Sequence, residues 1–136
     1  MTQEQKDLLL KDLCARLPYG VKVKVKHCNN VWNVFSISPN GLTYITNYSD
    51  YPFATNFDEC KPYLFPLSSM TDEDHAIYSK IWEDTGKTAY LEGCHHLIST
   101  IKAYKAANDF LLSKHYDING LISKDLAIDA TGLNIY

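Results

Sequence analysis

The sequence has no paired cysteines, no long apolar run and no surplus of positive charge, and each absence excludes something. Its four cysteines (14, 28, 60 and 94) are far apart and form no CxxC pair. That removes the close spacings of structural zinc sites and of redox motifs. Thiols scattered in this way read as reduced and mostly buried, in a cytoplasmic protein. No segment approaches the length of a membrane span. The first residues, MTQEQKDLLLKDLC, scatter Gln, Glu, Lys and Asp where a secretory signal needs an unbroken apolar stretch. The sequon Asn47-Tyr48-Ser49 is therefore expected to stay unmodified. A formal net charge of −3 argues against a dedicated nucleic-acid binder, although a local basic face remains compatible with it. With no repeat, linker or biased tract, the 136 residues read as one domain, 1–136. A chain of that size buries a core without a metal or a disulfide.

What is present begins with a helix. Thr2 and Gln5 suit a capping box, and Leu10, Leu13, Cys14 and Leu17 make one apolar stripe that Pro18 and Gly20 end. Three antiparallel strands follow, at about 21–27, 31–38 and 42–47, punctuated by Asn29-Asn30 and Asn40-Gly41. In the first of them, GVKVKVKH, three valines alternate with Lys22, Lys24 and Lys26. Two registers compete. A two-residue loop pairs Val23 with Ser36 and turns the lysines toward Phe35 and Ile37. A three-residue loop, Cys28 to Asn30, pairs Val23 with Phe35 and Val21 with Ile37. The second gathers Val21, Val23, Val25, Phe35, Ile37 and Tyr44 on one face and is preferred, because a buried face specifies register strongly. It leaves the lysines beside Trp32, Val34 and Ile45, with their stems over the Trp32 ring.

Residues 48–70 hold three prolines and six aromatics without a clean period. They read as an irregular crossing with one short strand at 62–65. A second helix starts at Thr71, with Asp74 in the capping-box position and Ile77, Tyr78, Ile81 and Trp82 on its apolar face; Gly86 is expected to stop it. A third, about 94–115, lines up Leu97, Ile101, Tyr104 and Leu111, with Ile98 and Leu112 alongside. The tail after Gly120 has enough Leu and Ile to dock. The expected fold is α+β: an N-terminal helix, a three-stranded antiparallel meander, and two C-terminal helices packed on the sheet.

The stretches LPYGVKVKV (17–25), PYLFPLSSMT (62–71) and DFLLSKHYDINGLISKDLAIDA (109–130) resemble a set of small proteins encoded by gut Bacteroidetes and their phages. The resemblance implies an intracellular setting and a mobile-element origin. It transfers no activity and no site residue.

Catalytic signals are weak. Gly86-Lys87-Thr88 looks like the end of a phosphate loop, but the glycine required five residues earlier is Ile81, within an apolar helical face. His27-Cys28 and Cys94-His95, with His96 adjacent, are too close in sequence to share a metal, since neighbouring side chains diverge on strand and helix alike. Cys94, near a helix start and beside two histidines, is the one thiol worth considering as a nucleophile. Asp72-Glu73-Asp74 is better explained as helix N-terminal charge. No catalytic residue, metal or cofactor is expected. Ten tyrosines and the lysine stripe point instead to recognition. The leading expectation is a non-enzymatic module that binds a protein partner through Lys22, Lys24, Lys26 and Trp32 together with Tyr48, Tyr51, Phe53 and Phe57. The alternatives are a nucleic-acid binder on the basic sheet face and a small cysteine-dependent enzyme. No membrane partner is expected, and pairing of an open edge strand with its copy leaves a homodimer available.

Overall fold

The computed structural model describes residues 1–46, 52–91, 93 and 96–136. Tyr48, Tyr51, Cys94, His95 and the sequon at 47–49 lie outside them. The fold is α+β: an N-terminal helix, a six-stranded mixed sheet and two further helices. Helix α1 (Gln3–Arg16) opens with the expected capping box, in which Thr2 and Gln5 exchange side chain-to-backbone hydrogen bonds. The strands are β1 (Lys22–Val25), β2 (Val31–Ile37), β3 (Leu42–Thr46), β4 (Phe53–Asn56), β5 (Cys60–Leu64) and β6 (Ile128–Asp129). Their order across the sheet is β4-β3-β2-β1-β5-β6, antiparallel except for the parallel pair β5–β6. The expected three-stranded meander is therefore only the middle of a larger sheet. In the crossing, the short strand expected at 62–65 is present as β5, slightly earlier, and β4 forms as well, where a period-2 signal is absent.

Pro62 does not contradict that pairing. Lys26 N–H bonds Glu59 C=O at 2.9 Å, so alternate residues of β5 face β1 and Pro62 faces the other way. Its missing donor falls on the outer edge, where a proline costs no ladder bond.

The register between β1 and β2 differs from both expectations: Lys22 lies opposite Asn33, Val23 opposite Trp32 and Lys24 opposite Val31. The cause is the turn. His27 adopts a left-handed φ of 66°, Cys28 N–H bonds Val25 C=O, and β1 ends at Val25, so the connection is longer than three residues. An odd shift reverses which faces meet. Trp32, Val34 and Ile45 join the valines, whereas Phe35, expected inside, is 55% exposed. A bulge between Val34 and Ser36 adds Phe35 as the extra residue.

Helix α1 covers the apolar face. Leu9 and Leu13 pack with Val21, Val23, Val25, Val34, Ile45, Cys60 and Leu64, and Leu121, Leu126 and Ala127 complete the cluster. The later helices, α2 (Asp72–Leu91) and α3 (His96–Ser113), pack chiefly on each other, not on the sheet as expected. Helix α2 runs through Gly86. On α3, Ala103 and Ala107 are buried, whereas Ile101 and Tyr104, whose spacing marks them as an apolar face, are largely exposed, and the Tyr104 ring meets Trp82 of α2 edge-on at 6.2 Å.

One buried ion pair ties α1 to the segment after α3. Arg16 Nε and Nη2 donate to the two Asp12 carboxylate oxygens at 2.7 and 3.0 Å, and Nη2 also donates to the Tyr116 carbonyl at 2.8 Å. Asn119 Nδ2 donates to Asp12 at 2.8 Å. Both side chains of the pair are fully buried. Arg16→Ala should lower unfolding stability by roughly 3–5 kcal/mol, because it strands the Asp12 carboxylate in the interior. The double variant Asp12→Leu/Arg16→Met should lose markedly less, and urea titration of both proteins measures the difference.

Candidate interaction face on the sheet

Strand alternation builds two unlike faces. The strands β1–β5 read KVKV, VWNVFSI, LTYIT, FATN and CKPYL, and among them there are three lysines and no Asp or Glu. Valines and Cys60 point to α1, so Lys22, Lys24 and Lys61 share the opposite face. Tyr44 lies between Thr43 and Ile45, both fully buried, and so belongs to the lysine face. Its ring meets that of Phe35 at 6.1 Å, tilted by 53°. Val31, Asn33, Ser36 and Ala54 fill in around these two rings, none of them buried. Across β1–β4, among the described residues, this face is open: Lys24, Asn33, Phe35 and Ala54 are exposed.

The same face is closed over β5 by residues 130–136. Tyr136 Oη accepts from Lys22 N–H at 3.1 Å and donates to Tyr63 C=O at 2.9 Å, bridging the β1–β5 ladder where the strands part. Lys22 Nζ donates to Ile135 C=O at 2.7 Å and sits 5.5 Å from the centre of the Tyr136 ring. Burial holds the Tyr136 hydroxyl up at about 12, so it stays a neutral donor. His115 stacks on the Tyr136 ring at 3.6 Å.

The expected site residues therefore separate. Lys24 and Lys26 are exposed, while Lys22 is held by the tail. Trp32 is on the valine face, half-buried, with its ring 6.1 Å from that of Phe53; no lysine stem covers it. Phe57 sits against the core in a short 3₁₀ turn, where its ring would lie 2.6 Å from a Cβ at Gly41, a position with φ of 85°. It is structural packing. The composite Lys–Trp32 surface does not form, and Phe35 and Tyr44 take its place. Sequence reading missed those two because its strand register, an odd step from the observed one, turned Phe35 and with it Tyr44 toward the valines.

Among the described residues, no group of three or more His, Cys, Asp or Glu is placed to hold a metal ion. Burial, reinforced by Glu59 and Asp58, pushes the Cys60 thiol up to about 12, far from a reactive thiolate. Cys14 is exposed and Cys28 is half-buried. Among the described residues, no helix is long and apolar enough to cross a membrane.

Burial, together with the charges of Arg16 and Lys22, pulls His115 down from 6.5 to about 4. The folded state thus disfavours the imidazolium that the unfolded chain forms readily. Its stability contribution is complete above pH 6.5 and is lost as pH falls toward 4. The urea midpoint should fall across that window. His115→Asn, which tolerates the left-handed φ of 63° and does not titrate, should fall less steeply. Equal slopes would remove His115 as the cause.

No family model matches the chain, and comparisons with curated proteins and with solved structures find no match.

Proposed function

We propose that the chain is a non-enzymatic interaction module that docks an acidic protein partner across the uncovered part of its sheet. Phe35 and Tyr44 are the anchors, and Lys24 and Lys26 form a charged rim. The observation that carries this reading is the exposed Phe35 ring, set beside Tyr44 on a sheet face without carboxylates. An apolar centre ringed by charge is the anatomy of a protein interface. The resemblance of residues 17–25, 62–71 and 109–130 to phage and Bacteroidetes proteins supports a role as a mobile-element accessory factor in the cytoplasm.

Single-stranded nucleic acid is the second reading, favoured by two neighbouring rings on which bases would stack. It is weaker because Lys22 is bonded to Ile135 and Lys61 to Asp125, which leaves Lys24 and Lys26 to meet phosphates.

Affinity capture from host lysate, with and without nuclease, separates the two. A protein recovered in stoichiometric amount under both conditions supports the first reading. Phe35→Ala should then weaken its binding about 30-fold, the cost of losing an aromatic anchor worth about 2 kcal/mol. Recovery that collapses after nuclease treatment would replace the first reading with the second.

A further inference from the structure

A cleft of about 600 Å³ lies at the ends of β1 and β5, lined by Met1, Lys24, Val25, Lys26, Asp58, Glu59, Lys61 and Ile128. That size suits a small-molecule ligand, for which roughly 300–1,000 Å³ is usual. It exists because β6 is short. Ile128 pairs with Tyr63, further along β5, so among the described residues no strand borders the outer edge of β5 at Cys60–Lys61. Pro62 adds no N–H to that edge. The accessible lining is mostly carbon, from Met1, Ile128 and the stems of the lysines, since the Val25 side chain is buried against α1.

The charges around it are unevenly matched. Asp58 is paired with Lys6 at 2.9 Å, and Lys61 with Asp125 at 2.7 Å. The Glu59 carboxylate accepts from Thr55 Oγ1 at 2.8 Å. Lys24 and Lys26 are exposed, and among the described residues neither has a carboxylate partner. Lys24 stands directly across from Lys61, whose charge Asp125 already pairs, so Lys24 and Lys26 are the lysines at the cleft without a carboxylate among the described residues. An anion bound between them would supply that partner. Glu59 in the wall opposes a second negative charge.

We propose that this cleft binds an amphiphilic monoanion, an unbranched apolar chain ending in one carboxylate, with its head between Lys24 and Lys26 and its chain along Met1 and Ile128. The site shares the two lysines with the proposed partner face but uses neither Phe35 nor Tyr44. It stands whether or not a protein docks on the sheet.

Octanoate is the probe, titrated into the isotope-labelled full chain and followed by amide NMR, with octanol as its neutral counterpart. Saturable shifts should cluster at residues 24–26, 58–61 and 128. Octanol should bind at least about tenfold more weakly, since the head group then gains no charge-assisted contact. Lys24→Gln/Lys26→Gln, which alters only exposed side chains, should reduce octanoate affinity to the octanol level, and Phe35→Ala should leave it unchanged. The proposal is overturned if octanoate produces no saturable shift at these amides. Equal binding of octanol and octanoate by the native chain, or unchanged octanoate binding in the lysine variant, overturns it as well.

Discussion

The Asp12–Arg16 pair is the constraint around which the other elements are arranged. The guanidinium has no solvent exposure, and its Nε and Nη2 donors are fixed on the Asp12 carboxylate and the Tyr116 carbonyl, while Nη1 has no acceptor among the described residues. That carbonyl belongs to the turn that ends α3, so α1 fixes where the third helix stops. Asn119 approaches the same carboxylate from the far side of the turn. Between them, Asp117 turns its carboxylate onto the N–H groups of Leu121 and Ile122 at 2.8 and 2.9 Å, which sets the path of the segment that caps the core. A purely apolar contact would hold these elements together without setting their register. Directional bonds in a low-dielectric interior fix both.

The tail is positioned through the same turn. His115, with a left-handed backbone, lies immediately before Tyr116 and presents its ring to Tyr136. The Tyr136 hydroxyl then occupies the gap between Lys22 and Tyr63. A hydroxyl donates and accepts at once, so it satisfies an N–H and a carbonyl that the parted strands cannot bring together. The cost is a neutral, buried imidazole that must not charge. The ion pair, the left-handed turn and the tyrosine bridge are therefore one connected arrangement running from α1 to β1.

Much of this fold was legible in the sequence, and the failures have physical causes. The capping box, the Asn40-Gly41 turn and the alternation of β1 are local signals, and each appears where the residues place it. Cross-strand register is not local. It depended on a left-handed His27 and on a bulge at Phe35, neither of which residue type announces. The rejected two-residue register would have faced Trp32, Val34 and Phe35 correctly, because it and the observed pairing differ by an even number of residues, but beyond the bulge it would have put Ser36 and Ile37 on the wrong faces. Apolar content misled the choice: it favoured burying Phe35, whereas Trp32, Val34 and Ile45 supply the core contacts. The helices failed similarly. Ile101 and Tyr104 carry the apolar period of α3, yet both stay largely exposed while Ala103 and Ala107 are buried, and Tyr104 meets α2 only edge-on at Trp82. Periodicity alone does not rank small side chains against large ones.

These misplacements decide what the lysine stripe means. An alternating Val-Lys strand with one face buried needs its lysines only as a solvated surface, and that would suffice had the stripe been surrounded by mixed charge. Instead β1–β5 contain no carboxylate, while the acids of this net-negative chain lie elsewhere, three of them in the first turn of α2. The fold then removes two of the lysines from play, Lys22 through Ile135 and Lys61 through Asp125. What remains is a short positive edge, Lys24 and Lys26, between an aromatic sheet face and an apolar cleft. Two charges steer and select a partner more than they supply affinity, so the apolar surfaces on either side must provide most of the binding energy. The face that sequence reading identified by its charge is thus better understood as an aromatic face whose charge determines what approaches it.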